Sequence, residues 1–360
     1  MLNKRWLVAA LLMVCTGALN CCQMQAAAGG APGGAADGAY KGADKILVPA
    51  KGWPCGMPAG IPVPEKGKLL FETTMKIDQA YNVGKTQFGQ RDVYVVSGGT
   101  IASEKLNATV MTLGLDFQLT LPNGAMEIEQ ILVLRTSDNR YVYLRSAGVG
   151  ADKSDIRMVP DFEAPNGSTS AWLNTGKFAG RRVVDTTAKT MKISVYDISG
   201  ETAAADDTNS VKVTKPADAV DQPWDYRKVG PTEKRGEQLI VENVTLGGSQ
   251  SVGATKKGNR NIIPITGGTI TGKITGKVLP GGADYQNLSN PATIDARYLW
   301  QTADGDVIIV RNAGPMAQLI PIFEVKQDSK YFYLTKGLYM SSSPGMGSGG
   351  VSLTFFESQK

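Results

Sequence analysis

The second half of this chain rewrites its first. Val83 to Ile101 and Val252 to Ile270 align without a gap at an offset of 169. Nine of the 19 positions are identical: the pairs Val83/Val252, Gly84/Gly253, Thr86/Thr255, Gly89/Gly258, Arg91/Arg260, Gly98/Gly267, Gly99/Gly268, Thr100/Thr269 and Ile101/Ile270. Such a match marks a tandem duplication and fixes the architecture before any motif is read. It does not by itself name a reaction.

The duplication divides the chain. Residues 1–28 read as a signal peptide. Lys4 and Arg5 are followed by a mostly apolar run, Trp6 to Leu19, and Ala26-Ala27-Ala28 offers a small-residue cleavage site. The run is too short for a membrane span, which needs about 20 residues. Export, periplasmic or secreted, is therefore expected. The alternative is a lipoprotein anchored at Cys21 or Cys22, although Asn20 and Cys21 suit a lipidation site poorly. Residues 29–66 form a Gly/Ala- and Pro-rich tether. The first repeat occupies 67–199, a polar linker 200–236, and the second repeat 237–360. Each repeat is long enough to bury its own core.

Composition excludes several classes of function. The formal charge of +5 falls to +3 without Lys4 and Arg5, and acidic and basic residues are interspersed. This argues against a nucleic-acid partner; Lys228, Lys234 and Arg235 read as a solvated linker. Histidine is absent, which removes histidine-served nucleophiles and histidine-ligated metals. Once Cys15, Cys21 and Cys22 leave with the signal, Cys55 alone remains, so neither an internal disulfide nor a thiolate zinc site is available. No cofactor is expected. Any catalysis must use carboxylates, lysine, tyrosine, arginine or backbone dipoles.

Both repeats read as all-β. Alternation and β-branched or aromatic residues predict strands at 69–77, 93–97, 115–121, 126–135, 140–146 and 191–198. In the second repeat they fall at 238–246, 262–266, 269–279, 293–301, 306–312, 319–325, 330–340 and 351–357. Gly98-Gly99, Asn123-Gly124, Asp138-Asn139, Gly281-Gly282 and Asp304-Gly305 supply the turns. Short strands at this spacing predict two tandem small antiparallel β-barrels, in which closure removes exposed edges. An outer-membrane barrel fits poorly, because only 7% of residues are aromatic and such barrels need two aromatic girdles.

From Ile263 to Asp284 the chain reads IPITGGTITGKITGKVLPGGAD. Ile294-Asp295-Ala296-Arg297-Tyr298, Asp304-Gly305 and Val310-Arg311-Asn312-Ala313-Gly314 follow. This series resembles the bacterial family labelled domain of unknown function 3237, over nearly all of the second repeat and more weakly over the first. The resemblance implies a compact β-barrel with an internal cavity, and no established activity.

Asp284, Tyr285, Asp295, Arg297 and Arg311 are the candidate ligand-binding residues, with Asp284, Asp295 and Arg297 as catalytic candidates. Asp295 and Arg297 lie two apart on one strand and share a face. Pointing inward, they would carry opposite charges into a small cavity, at a cost of several kcal/mol unless paired or met by a ligand. A salt bridge that pins strand register is the plainer reading. The doubled Gly267-Gly268 reads as a bulge or barrel bend. The first repeat keeps Asp116, Glu129 and Arg145 opposite Asp284, Asp295 and Arg311, but has Ile131 opposite Arg297. An aliphatic residue cannot balance a buried carboxylate, so a pocket built on the Asp/Arg pair would be lost or changed there.

Three functions fit. The first is a non-catalytic exported protein that binds a small molecule in the second barrel, where a guanidinium pair would favour a carboxylate-bearing or hydroxylated ligand. The second is a cofactor-independent lyase, isomerase or cyclase using Asp/Arg acid–base chemistry. The third is a structural envelope protein. The sequence leaves the oligomeric state open.

Overall fold

The structure is a computed structural model that describes residues 63–200, 219–347 and 349–359. The expected signal peptide, Cys55, nearly all of the tether and the middle of the linker lie outside the described residues. Among the described residues there is no α-helix, only three short 3-10 turns and twenty strands. No helix there is long and apolar enough to cross a membrane.

The first repeat supplies β1 (Lys68–Lys85), β2 (Gln90–Ser97), β3 (Thr100–Ala102), β4 (Asn107–Val110), β5 (Gly114–Thr120), β6 (Met126–Thr136), β7 (Tyr141–Gly150), β8 (Ile156–Glu163), β9 (Phe178–Asp185) and β10 (Thr190–Asp197). Their order is β6-β5-β2-β1-β10-β9-β8-β7, and β7 pairs back onto β6 to close an eight-stranded barrel. The second repeat supplies β11 (Lys234–Leu246), β12 (Gln250–Thr255), β13 (Gly258–Gly272), β14 (Gly276–Asn287), β15 (Thr293–Thr302), β16 (Val307–Pro315), β17 (Ile320–Glu324), β18 (Tyr339–Ser341), β19 (Gly345–Gly347) and β20 (Gly350–Gln359). Eight of them run β17-β16-β15-β14-β13-β11-β20-β18. The ends of this path meet where the Ser341 amide donates to the Leu319 carbonyl at 2.8 Å, so the second barrel is nearly closed. All the pairings are antiparallel.

Each barrel holds its own apolar interior. Met75, Ile128, Leu144 and Phe162 lie in the first; Ile240, Tyr298, Trp300, Phe323 and Phe355 lie in the second. A third core lies between the barrels, where Val93, Val95, Leu115, Ile131 and Tyr143 pack on Ile262, Leu279, Tyr285, Leu299 and Ile309. At roughly 1.5–3 kcal/mol for each large apolar side chain fully buried, this layer holds the repeats together.

The residues that the repeats share most closely build the contact between them. Arg91 Nε donates to Glu324 Oε1 at 2.8 Å, and Arg260 Nε donates to Glu163 Oε2 at 2.7 Å. Thr86 Oγ1 donates to Glu324 at 2.6 Å, and Thr255 Oγ1 to Glu163 at 2.9 Å. The backbone follows the same rule: Asn166 N to Ala254 O at 2.8 Å, Gln327 N to Lys85 O at 2.7 Å. Each of these bonds has its counterpart in the other direction. The two barrels therefore meet as the halves of a pseudo-twofold dimer joined in one chain.

The structure departs from the sequence reading in a few elements. The strands β3, β4, β8, β9, β12 and β19 were not expected; Pro160 in β8 and Gly180-Arg181-Arg182 in β9 break the alternation that marks a strand. The strand expected at 269–279 breaks between β13 and β14, and Gly281-Gly282, expected as a turn, lies within β14. The strand expected at 330–340 is instead a 3-10 turn, Phe332–Thr335, leading into β18. There the Phe332 and Leu334 amides donate to the carbonyls of Ser329 and Tyr331, each at 3.0 Å, so these groups are spent locally. Gly267 and Gly268 do sit at a shift of register between β13 and β14, with φ of 148° and 149°.

Candidate functional site

Strand β15 decides where the candidate residues go. Ile294, Ala296, Tyr298 and Trp300 face the interior of the second barrel, so Asp295, Arg297 and Leu299 face out of it. This corrects the expectation that the Asp295/Arg297 pair points into the cavity. The outer face is not solvent, because the first barrel covers it. Tyr285 lies on the same face, its ring 5.3 Å from that of Tyr143.

The charges between the barrels form a closed cluster. Arg297 Nε donates to Asp295 Oδ1 at 2.8 Å, and its Nη1 donates to Glu129 Oε2 at 3.1 Å. Arg311 grips both oxygens of Asp295 at 2.9 Å, and its Nη1 donates to the Trp224 carbonyl of the linker at 2.9 Å. Arg145 Nε donates to Glu129 Oε1 at 2.7 Å. Burial alone would raise the carboxylate pKa values, but the arginines outweigh it. Arg145, then Arg297 and Arg311, hold Glu129 down at about 2; Arg297 and Arg311 hold Asp295 well below the usual range. Ile131 therefore does not strand a carboxylate in the first repeat. One guanidinium, Arg297, serves the acids of both repeats, and Ile131 packs into the apolar layer. A cavity of about 50 Å³ beside this cluster is lined by Arg91, Glu129, Arg297, Arg311 and Glu324. The linker caps it: Gln222 accepts from Arg91 at 2.9 Å and donates to Glu127 at 2.8 Å.

Asp284 parts company with this group. Gly281 and Gly282, with φ of 138° and 77°, shift the register between β14 and β15. A side chain at Gly282 would run into the Arg297 carbonyl. Beyond this bulge Ala283 and Tyr285 face the first barrel, while Asp284 lines a cavity of about 10 Å³ inside the second. Glu242, Tyr298 and Asn312 line it too. Glu242 accepts from the Tyr298 hydroxyl at 2.6 Å and from Trp300 Nε1 at 3.0 Å. Among the described residues no cation lines this cavity. Burial pushes Asp284 up to about 7. Burial also dominates at Glu242, where the bonds from Tyr298 and Trp300 pull down and the nearby Asp284 pushes up, leaving it at about 8.

Asn312 is 1% exposed, and its Oδ1 has no hydrogen-bond partner. The amide orientation follows from its neighbour. The Ser341 hydroxyl donates to the Ser342 carbonyl at 2.9 Å, so its oxygen accepts from Asn312 Nδ2 at 3.3 Å. The free Oδ1 is then an acceptor.

The first barrel pairs the aligned acid internally. Asp116, aligned with Asp284, is buried against Arg182, whose Nε donates at 2.9 Å, and against Gln130 Nε2, also at 2.9 Å. In the second repeat the segment after the aligned 3-10 turn reads Ser341-Ser342-Ser343 and supplies no cation. Glu242 and Asn312 were missed from sequence, yet both carry a signal. Each is a polar residue in the core phase of its strand, Glu242 between Ile240 and Val244, and Asn312 two past Val310. Among the described residues no group of three or more His, Cys, Asp or Glu is placed to hold a metal ion.

Fold and site together define a fused pair of eight-stranded antiparallel barrels, with an uncompensated acidic cavity in one of them. The chain belongs to the family described as protein of unknown function DUF3237, whose model matches residues 66–199 and 237–318. It is 48% identical over 71 residues to a UPF0311 protein of Bradyrhizobium diazoefficiens, a match that covers 19% of this chain and 47% of the relative. The chain thus spans about half the length of the curated relatives it matches. Among solved structures it is similar to a conserved protein of unknown function from Rhodopseudomonas palustris, at 25% identity over 36% of this chain and 95% of the other, with a TM-score of 0.32. It is also similar to a beta-barrel-like protein from Acinetobacter baumannii, at 19% identity over 36% and 94%, with a TM-score of 0.32.

Proposed function

We propose that this protein binds a small polar molecule in the interior of its second barrel, through Asp284. The observation that carries this reading is the contrast between aligned aspartates. Asp116 has a guanidinium of its own chain, whereas Asp284 lines a cavity without a counter-ion. Asp284 is partly buried; a carboxyl drawn out of water without a partner costs free energy, and a ligand that meets it recovers that cost. Tyr285, Asp295, Arg297 and Arg311 then support the site from behind by fixing β14 and β15 against the first barrel. With those guanidiniums engaged elsewhere, the case for a carboxylate-bearing ligand loses its basis; a ligand that donates hydrogen bonds fits better. Thermal unfolding of residues 29–360 against a library of small metabolites tests this. A ligand that raises the midpoint in the parent chain and not in Asp284→Asn supports the reading, since binding to the native state stabilises it. Hits that are indifferent to Asp284 refute it.

A second reading, proton transfer, is favoured by one feature. A carboxyl titrating near neutrality suits a general base, and Asp284 lies at about 7. Turnover of a bound ligand that disappears in Asp284→Asn would establish it. We also propose export, on the strength of Lys4, Arg5 and the apolar run to Leu19; cell fractionation tests it.

A further inference from the structure

The lining of the second barrel's cavity is one-sided. Its polar groups offer acceptors: the Asp284 carboxylate, the second lone pairs of the Glu242 oxygens already bonded to Tyr298 and Trp300, and Asn312 Oδ1. The Asn312 acceptor is the sharpest of these, being enclosed and unpaired, and such groups in native proteins call for a missing partner. The space, about 10 Å³, takes a group about as large as one water. A primary ammonium group is of that size, carries three donors and no acceptor, and bears the charge that Asp284 lacks opposite it. The first barrel supplies an internal precedent, since the donor facing Asp116 there is itself a nitrogen cation, Arg182.

We infer that the second barrel is a site for the primary ammonium end of a small amine. The inference rests on the reading of this cavity as a ligand site and adds the class of ligand. Pro344, just before β19, and Val351, in β20, line the cavity and are only partly buried, which leaves a way in for the head group on that side.

The ionisable groups lining the cavity are Asp284 on β14, Glu242 on β11 and Tyr298 on β15. A bound cation favours the ionised carboxylates, so binding releases protons and tightens as pH rises from 6 to 8.

The experiment is calorimetric titration of the full chain with methylammonium and ethanolamine hydrochlorides. Ethylene glycol, sodium acetate and tetramethylammonium, which keeps the charge and has no N–H donor, serve as controls. The expected result is binding of the two amines alone. It should weaken at least tenfold in Asp284→Asn and severalfold in Asn312→Ala, and tighten from pH 6 to pH 8. Circular dichroism of both variants confirms that they fold. If ethylene glycol binds in an Asp284-dependent manner and the amines do not, the ammonium class is overturned while the ligand site stands. If amines bind equally well to Asp284→Asn, the inference is overturned. Failure of every probe overturns both the inference and the reading beneath it.

Discussion

The two barrels have the same wall and different fillings. In the first, Asp116, Gln130 and Arg182 form a hydrogen-bonded ionic group that is 0–3% exposed, and the Asp116 charge is met by Arg182, although Gln130 Oε1 has no partner. In the second, the aligned Asp284 shares its cavity with another acid, Glu242, and among the described residues with no cation. Duplication preserved the surfaces by which the halves meet, and left the aligned acid of one interior paired with a guanidinium and that of the other without one. A carboxylate at an aligned position therefore says little about function until its counter-ion is known.

Four predictions would break or sharpen this comparison. The largest effect is expected at Arg182→Met, which strands Asp116 in the closed barrel. Loss of one member of a buried pair costs about 3–5 kcal/mol, readable as a fall in the urea midpoint. Ser343→Ala, at the corresponding place in the second barrel, should stay within about 0.5 kcal/mol. Next is Arg297→Met, which removes the guanidinium shared by Glu129 and Asp295. Each acid keeps one arginine, so a loss of about 3 kcal/mol is expected, at the low end of that range. A loss close to zero would mean the cluster does not join the barrels.

The third prediction concerns pH. The folded pKa of Glu242 is raised from 4.5 to about 8 and that of Asp284 from 3.8 to about 7. The folded state then binds more protons than the unfolded one between these limits. The stability these two groups contribute is full below about 4 and is lost as pH rises toward 8. Glu129 acts the other way: its folded pKa falls to about 2, so its contribution holds above 4.5 and is lost as pH falls toward 2. Glu242→Gln should flatten the decline between pH 5 and 8 and leave the acid limb intact, as urea titrations across pH would show. The smallest effect is the most symmetrical. Thr86→Val and Thr255→Val each delete one hydroxyl bond to a buried glutamate and should cost about 1–2 kcal/mol each. Unequal losses would show that the pseudo-twofold is only geometric.

Much of this was legible in the sequence. The nine repeated identities exposed the duplication, and alternation with turn glycines indicated small barrels. The role of those identities was not legible, because an Arg91 or Thr86 shows no partner until the other repeat is folded beside it. The direction of β15 was misread for a physical reason. In a barrel with one face in water, only the inner phase is apolar. Here the outer phase is buried as well, so Leu299 in one phase and Tyr298 in the other look equally like core, and Asp295 and Arg297 could be assigned to either side. Arg182 escaped notice because Gly180 and the adjacent Arg181 hide the alternation of β9.

The most direct test is to titrate Asp284 itself. Carbon-13 spectra of the full chain labelled at aspartate carboxyls, compared with Asp284→Asn to assign the resonance, give its midpoint. A partly buried carboxyl that lines the second barrel's cavity without a counter-ion should titrate near 7. A midpoint in the ordinary aspartate range, near 4, would mean that Asp284 is solvated or paired, and would contradict the claim that the two barrels differ in their interiors.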